Sequence, residues 1–438
     1  MPASSSMVTR TAFRALAVYF ILYTAPFPLN CLPWLGELLA EAVSLLRSEL
    51  ATWVGRVVFG IDDLFTGPTG SGDTTEVQLI VLINVFITIV AVIVWSLVDR
   101  KQRDHAAAKR WLEHGCAWFL GITITYYGWA KIIPTQFPTP SLTRLLSTYG
   151  ESSPMGLLWT FMGASPAYCV FTGLAETLGG TLVLFRRTRT LGALICVGVM
   201  TNVVMLNLCY DVPVKLFSLH LLALASGLAW LDRERLFALF WSHEAVPARE
   251  LPPLFASRRG QIAGRVTAIA LLAWVTYTSI DQGLDAYRSY GDGREHPPLY
   301  GIYDVDSFSL DAEELPPLTT DAVRWRALVI DSALPIELVD FERPGYITIQ
   351  QMDGALSYHV VEYDTEALTM TVMPSGAYEL DDDAEADVLR FEQTIDGLVV
   401  TGTWQGQALE ARLQQRPRSK LVLLERGFHW INETPYNL

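Results

Sequence analysis

The chain has 438 residues, 51% of them hydrophobic and only 18% charged, with a net charge of −14. A soluble protein carries nearer a quarter charged residues, so a purely soluble chain is excluded. The charge is divided: residues 281–438 hold 29 Asp and Glu against 11 Lys and Arg, whereas residues 1–280 hold 17 acids and 21 bases. So acidic a C-terminal region excludes nucleic acid and anionic lipid surfaces as its partners.

Seven apolar stretches are long enough to span a bilayer, which takes about 20 residues each. They are 12–30, 77–98, 115–134, 157–185, 190–209, 214–231 and 262–280. Pro26 and Pro28 lie at the end of the first, which reads as a retained signal anchor. Between the first and second, Leu35 to Gly60 is amphipathic and predicts a helix lying on the outer surface.

The stretch GPTGSGDTT, Gly67 to Thr75, matches a phosphate-binding loop except that Asp73 stands where lysine belongs. An aspartate there repels phosphate, so no nucleotide is expected. Asp73 with Glu76 reads instead as a capping box opening the second span.

The fourth stretch contains Pro166, which predicts a short helix followed by the true span. Residues 136–156 read as a loop, with one or two interfacial turns at LTRLLSTY. Lys and Arg concentrate before the first span and after the second, fourth and sixth. That bias places the N-terminus inside and the C-terminal region outside a bacterial inner membrane.

After Tyr290 the pattern changes to period two. Residues 346–363, 367–373, 397–413 and 420–431 predict antiparallel strands, with Asp353-Gly354 and Gln405-Gly406 as turns. The fold expected is a small all-β domain, a calycin-like barrel or a sandwich, with Trp404 of the Gly402-Thr403-Trp404 triplet in its core. The acid run Asp381 to Asp387 reads as a solvated loop. The domains expected are 1–110, an anchor; 111–235, the membrane core; 236–290, a linker and last span; and 291–438, the β-rich domain.

Ionisable residues in bilayer-spanning helices are costly unless paired or wet, so each is a functional candidate. Here these are Lys131, Glu176 and His220, expected to converge in the outer half of the bundle. Tyr126, Tyr127 and Trp129 supply an aromatic wall. Asn202 and Asn207 add polar contacts or, on the plainer alternative, only tie helices together, and Asp211 with Lys215 forms a rim ion pair. Lys131 and Glu176 are expected to neutralise each other. Lys131 snorkelling to the headgroups and His220 as a structural histidine are the plainer alternatives. No two of the seven histidines share ligand spacing on a helix, so no metal is expected. Cys31, Cys116, Cys169, Cys196 and Cys209 lie in the apolar part, none in C-x-x-C spacing.

GWAK at 128–131, FTGLAETLGGTLVLFRR at 171–187 and LGALICVGVMTNVVMLN at 191–207 resemble the DoxX family of small membrane proteins. The resemblance covers about residues 110–235 and implies a four-helix membrane core. In some members it implies quinone-linked sulfur oxidation or a place in a membrane redox complex, hence a quinone ligand and a redox partner protein. Lys131 and Glu176 match the family's recurrent polar positions. The alternatives are a non-enzymatic scaffold for a lipophile or a partner protein, and a proton-coupled carrier with Glu176 as relay. A more distant architectural kinship is with vitamin-K-carboxylase-like enzymes, which also join a bundle to an outer β domain.

Overall fold

A computed structural model describes residues 7–32, 34–99, 105–246, 253–297, 299–332, 345–364, 366–374 and 386–437. Asp381 to Glu385 of the acid run lie outside the described residues. The chain divides into two compact units. One holds Met1–Ile133 with Cys169–Gly283; the other holds Pro134–Tyr168 with Leu284–Leu438.

The first unit is helical. Its helices are α1 (Met7–Thr24), α2 (Leu35–Phe59), α3 (Thr75–Val98), α4 (Ala106–Ile132), α7 (Pro166–Leu184), α8 (Arg189–Cys209), α9 (Lys215–Trp230), the short α10 (Arg233–Phe237) and the larger part of α11 (Arg258–Ser289), while α5 (Leu142–Leu146) and α6 (Pro154–Gly163) belong to the other unit. Among the described residues five helical segments are long and apolar enough to cross a membrane: Met7–Cys31, Thr75–Val98, Pro166–Leu184, Arg189–Cys209 and Arg258–Ser289. Of the seven stretches expected, the third lies in α4, which carries Lys109, Arg110, Glu113 and Lys131 and is less apolar. The sixth is α9, only 16 residues long.

The amphipathic stretch forms α2, closed by Gly60 in the left-handed region at φ 67°. Pro166 divides the fourth stretch as expected, into α6 (Pro154–Gly163) and α7. Pro can begin a helix but not continue one.

The GPTGSGDTT loop differs from its reading. Thr74, not Asp73, caps α3, accepting from the Val77 N–H at 3.3 Å. Asp73 instead accepts from the backbone N–H groups of Lys215 at 2.7 Å and Leu216 at 2.9 Å. It therefore caps α9, 142 residues away in the chain. Gly72 N–H donates to the Pro213 carbonyl at 2.7 Å, docking the loop on the bend before α9. Glu76 reaches Ser48 of α2.

Basic residues expected at the inner ends of the helices make buried ties. Arg14 pairs with Asp99 at 3.0 Å and donates to Ser96 at 2.8 Å. Arg189 pairs with Glu113 at 2.8 Å.

The second unit is built on a closed antiparallel barrel. Its strands are β1 (Gly301–Leu310), β2 (Glu313–Glu314), β3 (Trp325–Ser332), β4 (Gly345–Gln351), β5 (Leu356–Asp364), β6 (Thr369–Pro374), β7 (Asp387–Gln393), β8 (Gly397–Trp404) and β9 (Gln407–Gln415). β1 and β3–β9 pair in sequence order, and β9 pairs back with β1, closing eight strands with the two-residue β2 as an appendage. Closure leaves no edge to template aggregation.

The hairpin between β8 and β9 turns at Gln405 and Gly406, both with positive φ (49° and 79°), as a type I′ turn requires. The interior is filled. Trp325, Phe308, Leu328, Ile330, Ile347, Ile349, Met370, Leu389, Val400 and Ala411 are buried there. Trp404 packs edge-on against Trp325 with centroids 5.0 Å apart, as the core role assigned to it requires. Such a core argues against the barrel as a lipophile carrier. Arg324 is also buried, and its guanidinium donates to the carbonyls of Leu315 and Trp325 at 2.9 and 3.1 Å.

The strand assignments change in two directions. Residues 420–431 form no strand; they give a short helix at Val422–Glu425 and irregular chain. The β9–β1 pairing has already used the last free edge. Conversely β1, β3 and β7 were not evident from the sequence. Bulges between Val305 and Ser307 and between Trp325 and Ala327 shift the alternation in the first two.

The segment read as an interfacial loop belongs to the barrel unit. Its helix α5 (Leu142–Leu146) places Leu142 in a cluster with Ile302, Ala327 and Val329, on the outer face of β1 and β3. These strands are therefore apolar on both faces.

Candidate functional site

The site grows from the crossing of α4 and α7. A Cβ added to Gly121 would lie 2.8 Å from the Gly180 carbonyl oxygen, and one on Gly128 would lie 2.8 Å from that of Gly173. The index rises on one helix as it falls on the other, so the two run antiparallel with their backbones in contact. Small residues permit this approach.

One turn beyond Gly128, Lys131 Nζ donates to Glu176 Oε2 at 2.7 Å. Lys131 is 7% exposed and Glu176 4%, so the pair is sealed between helices and not a surface bridge. The mutual neutralisation expected from the sequence is present. The Lys131 ammonium also sits 5.9 Å from the Tyr127 ring centre. Cys169 Sγ donates to the Lys131 carbonyl at 3.5 Å.

His220 is held elsewhere, against α1. Its Nε2 is 2.7 Å from the Tyr19 hydroxyl and its Nδ1 is 2.7 Å from the Leu216 carbonyl oxygen. The second contact makes Nδ1 the protonated nitrogen, so Nε2 accepts the Tyr19 proton. The Tyr23 ring stacks on the imidazole with centroids 4.0 Å apart. Tyr19 and Tyr23 were not singled out in the sequence. Their spacing of four on the first helix was the available signal.

Lys131, Glu176 and His220 therefore do not converge as expected, and none of them lines the niche of about 290 Å³ that their neighbours Tyr127 and Tyr23 form with Gly72, Val77, Val81, Val214, Leu216 and Phe217. Tyr127 brings Lys131 and Glu176 to one side of it, and Tyr23 brings His220 to the other. No hydrogen bond joins the Tyr23 or Tyr127 hydroxyl to another described residue. The remaining lining is apolar or backbone.

The other sequence candidates are spread out. Asn207 is buried and donates to Ser218 Oγ at 3.0 Å, tying α8 to α9. Asn202 and Tyr126 are exposed on the bundle surface, outside the niche. Trp129 is half-buried, and its indole Nε1 is buried without a partner among the described residues. Asp211 and Lys215 pair at 2.8 Å with Asp211 84% exposed, the rim ion pair expected.

Fold and site together define a protein of long apolar helices, with an ion pair sealed at the crossing of two of them, joined to a packed antiparallel barrel. By sequence the chain belongs to the family of the "Uncharacterized protein YwoB" of Bacillus subtilis (strain 168). The two are 32% identical over 157 residues, which are 35% of this chain and 98% of that protein. No protein-family model and no solved structure matches the chain.

Proposed function

We propose that this is a bacterial inner-membrane protein whose bundle binds the head of a quinone-like lipophile in the niche between Tyr23 and Tyr127. It serves there as a DoxX-like subunit of a membrane redox complex, with its N-terminus inside and its barrel outside. One observation carries the reading: two phenol hydroxyls with no hydrogen-bond partner among the described residues line a largely apolar niche. A quinone head has an apolar ring and two carbonyl acceptors, the complement of that arrangement. The volume suits a head group, not a whole lipid.

Electrons come from a redox partner protein. The residues of this chain hold protons: Tyr19 and Tyr23 against His220 on one side, Tyr127 beside the Lys131–Glu176 pair on the other. Glu176 and Lys131 position Tyr127 and keep a neutral pair beside the niche, so the site binds an uncharged ring without an unpaired charge nearby.

The test is titration of the purified chain in nanodiscs with a short-chain benzoquinone. Saturable binding is expected, weakened about tenfold in Tyr23→Phe/Tyr127→Phe, as the loss of two hydrogen bonds implies. No saturable binding, or binding unchanged in the double variant, discards the reading.

A further inference from the structure

The barrel unit carries a second, larger cleft, of about 1020 Å³, made wholly from its own residues. Its walls come from α5 and the prolines before it, from α6, from the last turn of α11 and from the neck leading to β1. The apolar lining includes Pro138, Pro140, Met155 and Trp159, and three arginines enter it: Arg144, Arg288 and Arg294.

The neck is fixed by carboxylates. Asp292 accepts from the Thr139 N–H and hydroxyl, both at 2.9 Å. Asp331 accepts from the Leu142 N–H at 2.9 Å and pairs with Arg294 at 2.9 Å. Arg294 is thereby neutralised.

Arg144 and Arg288 are not. The Arg144 Nε donates to Thr160 Oγ1 at 2.9 Å, and Thr160 in turn donates to the Gly156 carbonyl at 2.8 Å. This leaves both Nη groups of Arg144 without a partner among the described residues. They lie over Gly156, where a Cβ would be 3.3 Å from Nη2. Arg288 is exposed and likewise has no hydrogen bond or ion pair among the described residues. Glu295 is the remaining acid on the lining, and it is exposed.

A unit with this excess of acid repels anions at long range, so two unpaired guanidinium groups in one pre-formed cleft are a local exception. A guanidinium fork matches the oxygens of phosphate and carboxylate. We infer that this cleft is a binding site for an amphiphile bearing a phosphate group, with the phosphate held by Arg144 and Arg288 and the apolar part against Met155, Trp159, Pro138 and Pro140. The site is independent of the quinone reading.

The probe is dihexanoyl phosphatidate, titrated calorimetrically onto the full chain in phosphatidylcholine nanodiscs. Dihexanoyl phosphatidylcholine and inorganic phosphate serve as the comparison arms. Saturable phosphatidate binding is expected, at least tenfold tighter than either comparison. Arg144→Gln and Arg288→Gln are each expected to weaken it about tenfold while leaving the thermal unfolding of the protein unchanged. Inorganic phosphate binding as tightly as phosphatidate overturns the amphiphile in favour of a soluble anion. Equal binding of the zwitterionic lipid, no saturable binding, or affinity unchanged in both arginine variants overturns the site. Should Arg144→Gln unfold the protein, Arg288→Gln alone decides, because Arg288 is exposed and makes no hydrogen bond or ion pair among the described residues.

Discussion

Asp73 and the first turn of α9 are joined across the helical unit: the carboxylate accepts from the N–H groups of Lys215 and Leu216 at 2.7 and 2.9 Å. A glycine-rich stretch that resembles a nucleotide loop is therefore a capping device acting in trans on a second helix. It also sets one wall of the niche through Gly72, Val214 and Leu216. Asp73→Ala is expected to destabilise the protein by about 1–2 kcal/mol, and Asp73→Asn by much less, because asparagine still accepts. Thermal unfolding measures the first, and hydrogen exchange at the α9 amides locates it. Equal effects of the two variants would argue against the cap.

The Lys131–Glu176 pair is expected to behave as a sealed unit. Lys131→Met leaves a buried carboxylate without its partner and is expected to destabilise by about 3–5 kcal/mol. The double variant Lys131→Met/Glu176→Leu is expected to recover most of that loss, since replacing both charges removes the desolvation penalty. If benzoquinone binding also survives in the double variant, the pair acts in folding alone. Loss of binding in a stable double variant supports its role beside the niche.

The crossing of α4 and α7 tolerates no side chain at its centre. A Cβ on Gly173 would approach the Gly128 carbonyl oxygen to 2.6 Å. Gly173→Ala is therefore expected to force the helices apart at a loss of about 1–3 kcal/mol. On α8, Gly198 has nothing within 4 Å of such a Cβ. Gly198→Ala is expected to be neutral or stabilising by up to about 1 kcal/mol through helix propensity alone. The contrast between the two in one unfolding assay checks the packing.

The barrel is expected to lose stability in mild acid. Burial of His359 pushes its imidazole below the usual value, with Asp387 opposing the shift. The unfolded chain takes up a proton near pH 6.5 while the folded barrel resists it. This contribution is complete above that pH and is lost as pH falls from there through the folded value. His359→Gln preserves a partner for Ser357, which lies 3.0 Å from His359 Nε2. It is expected to flatten the pH dependence of hydrogen exchange at β4–β6 between pH 7 and 5. An unchanged slope rules His359 out as its source.

Much of the helical unit was legible. Pro166 marked the break before α7, and the apolar runs located the long helices, because length and composition are local properties. Lys131 and Glu176 stood out as charges in apolar runs, and their pairing followed from the penalty on isolated buried charge. Depth along a helix was not enough for His220. That residue faces Tyr19 and Tyr23, and which neighbour a helix face meets depends on rotation and packing. Asn202 missed the niche for the same reason, its side chain turned outward while Asn207, five residues on, is buried.

The barrel shows the same division. Alternation found β4, β5, β6, β8 and β9, but bulges hid β1 and β3. The run at 420–431 looked like a strand because nothing local says that β9 already pairs with β1. By itself the sequence determined the apolar helical unit, the acidic β unit, the turn at Gln405-Gly406 and the charges that need partners. Only the tertiary structure decided that Asp73 caps α9, that residues 134–168 join the barrel, and that Tyr23 and Tyr127 share a niche. Propensity and periodicity act over a few residues, whereas partner choice is settled by long-range packing between segments more than a hundred residues apart.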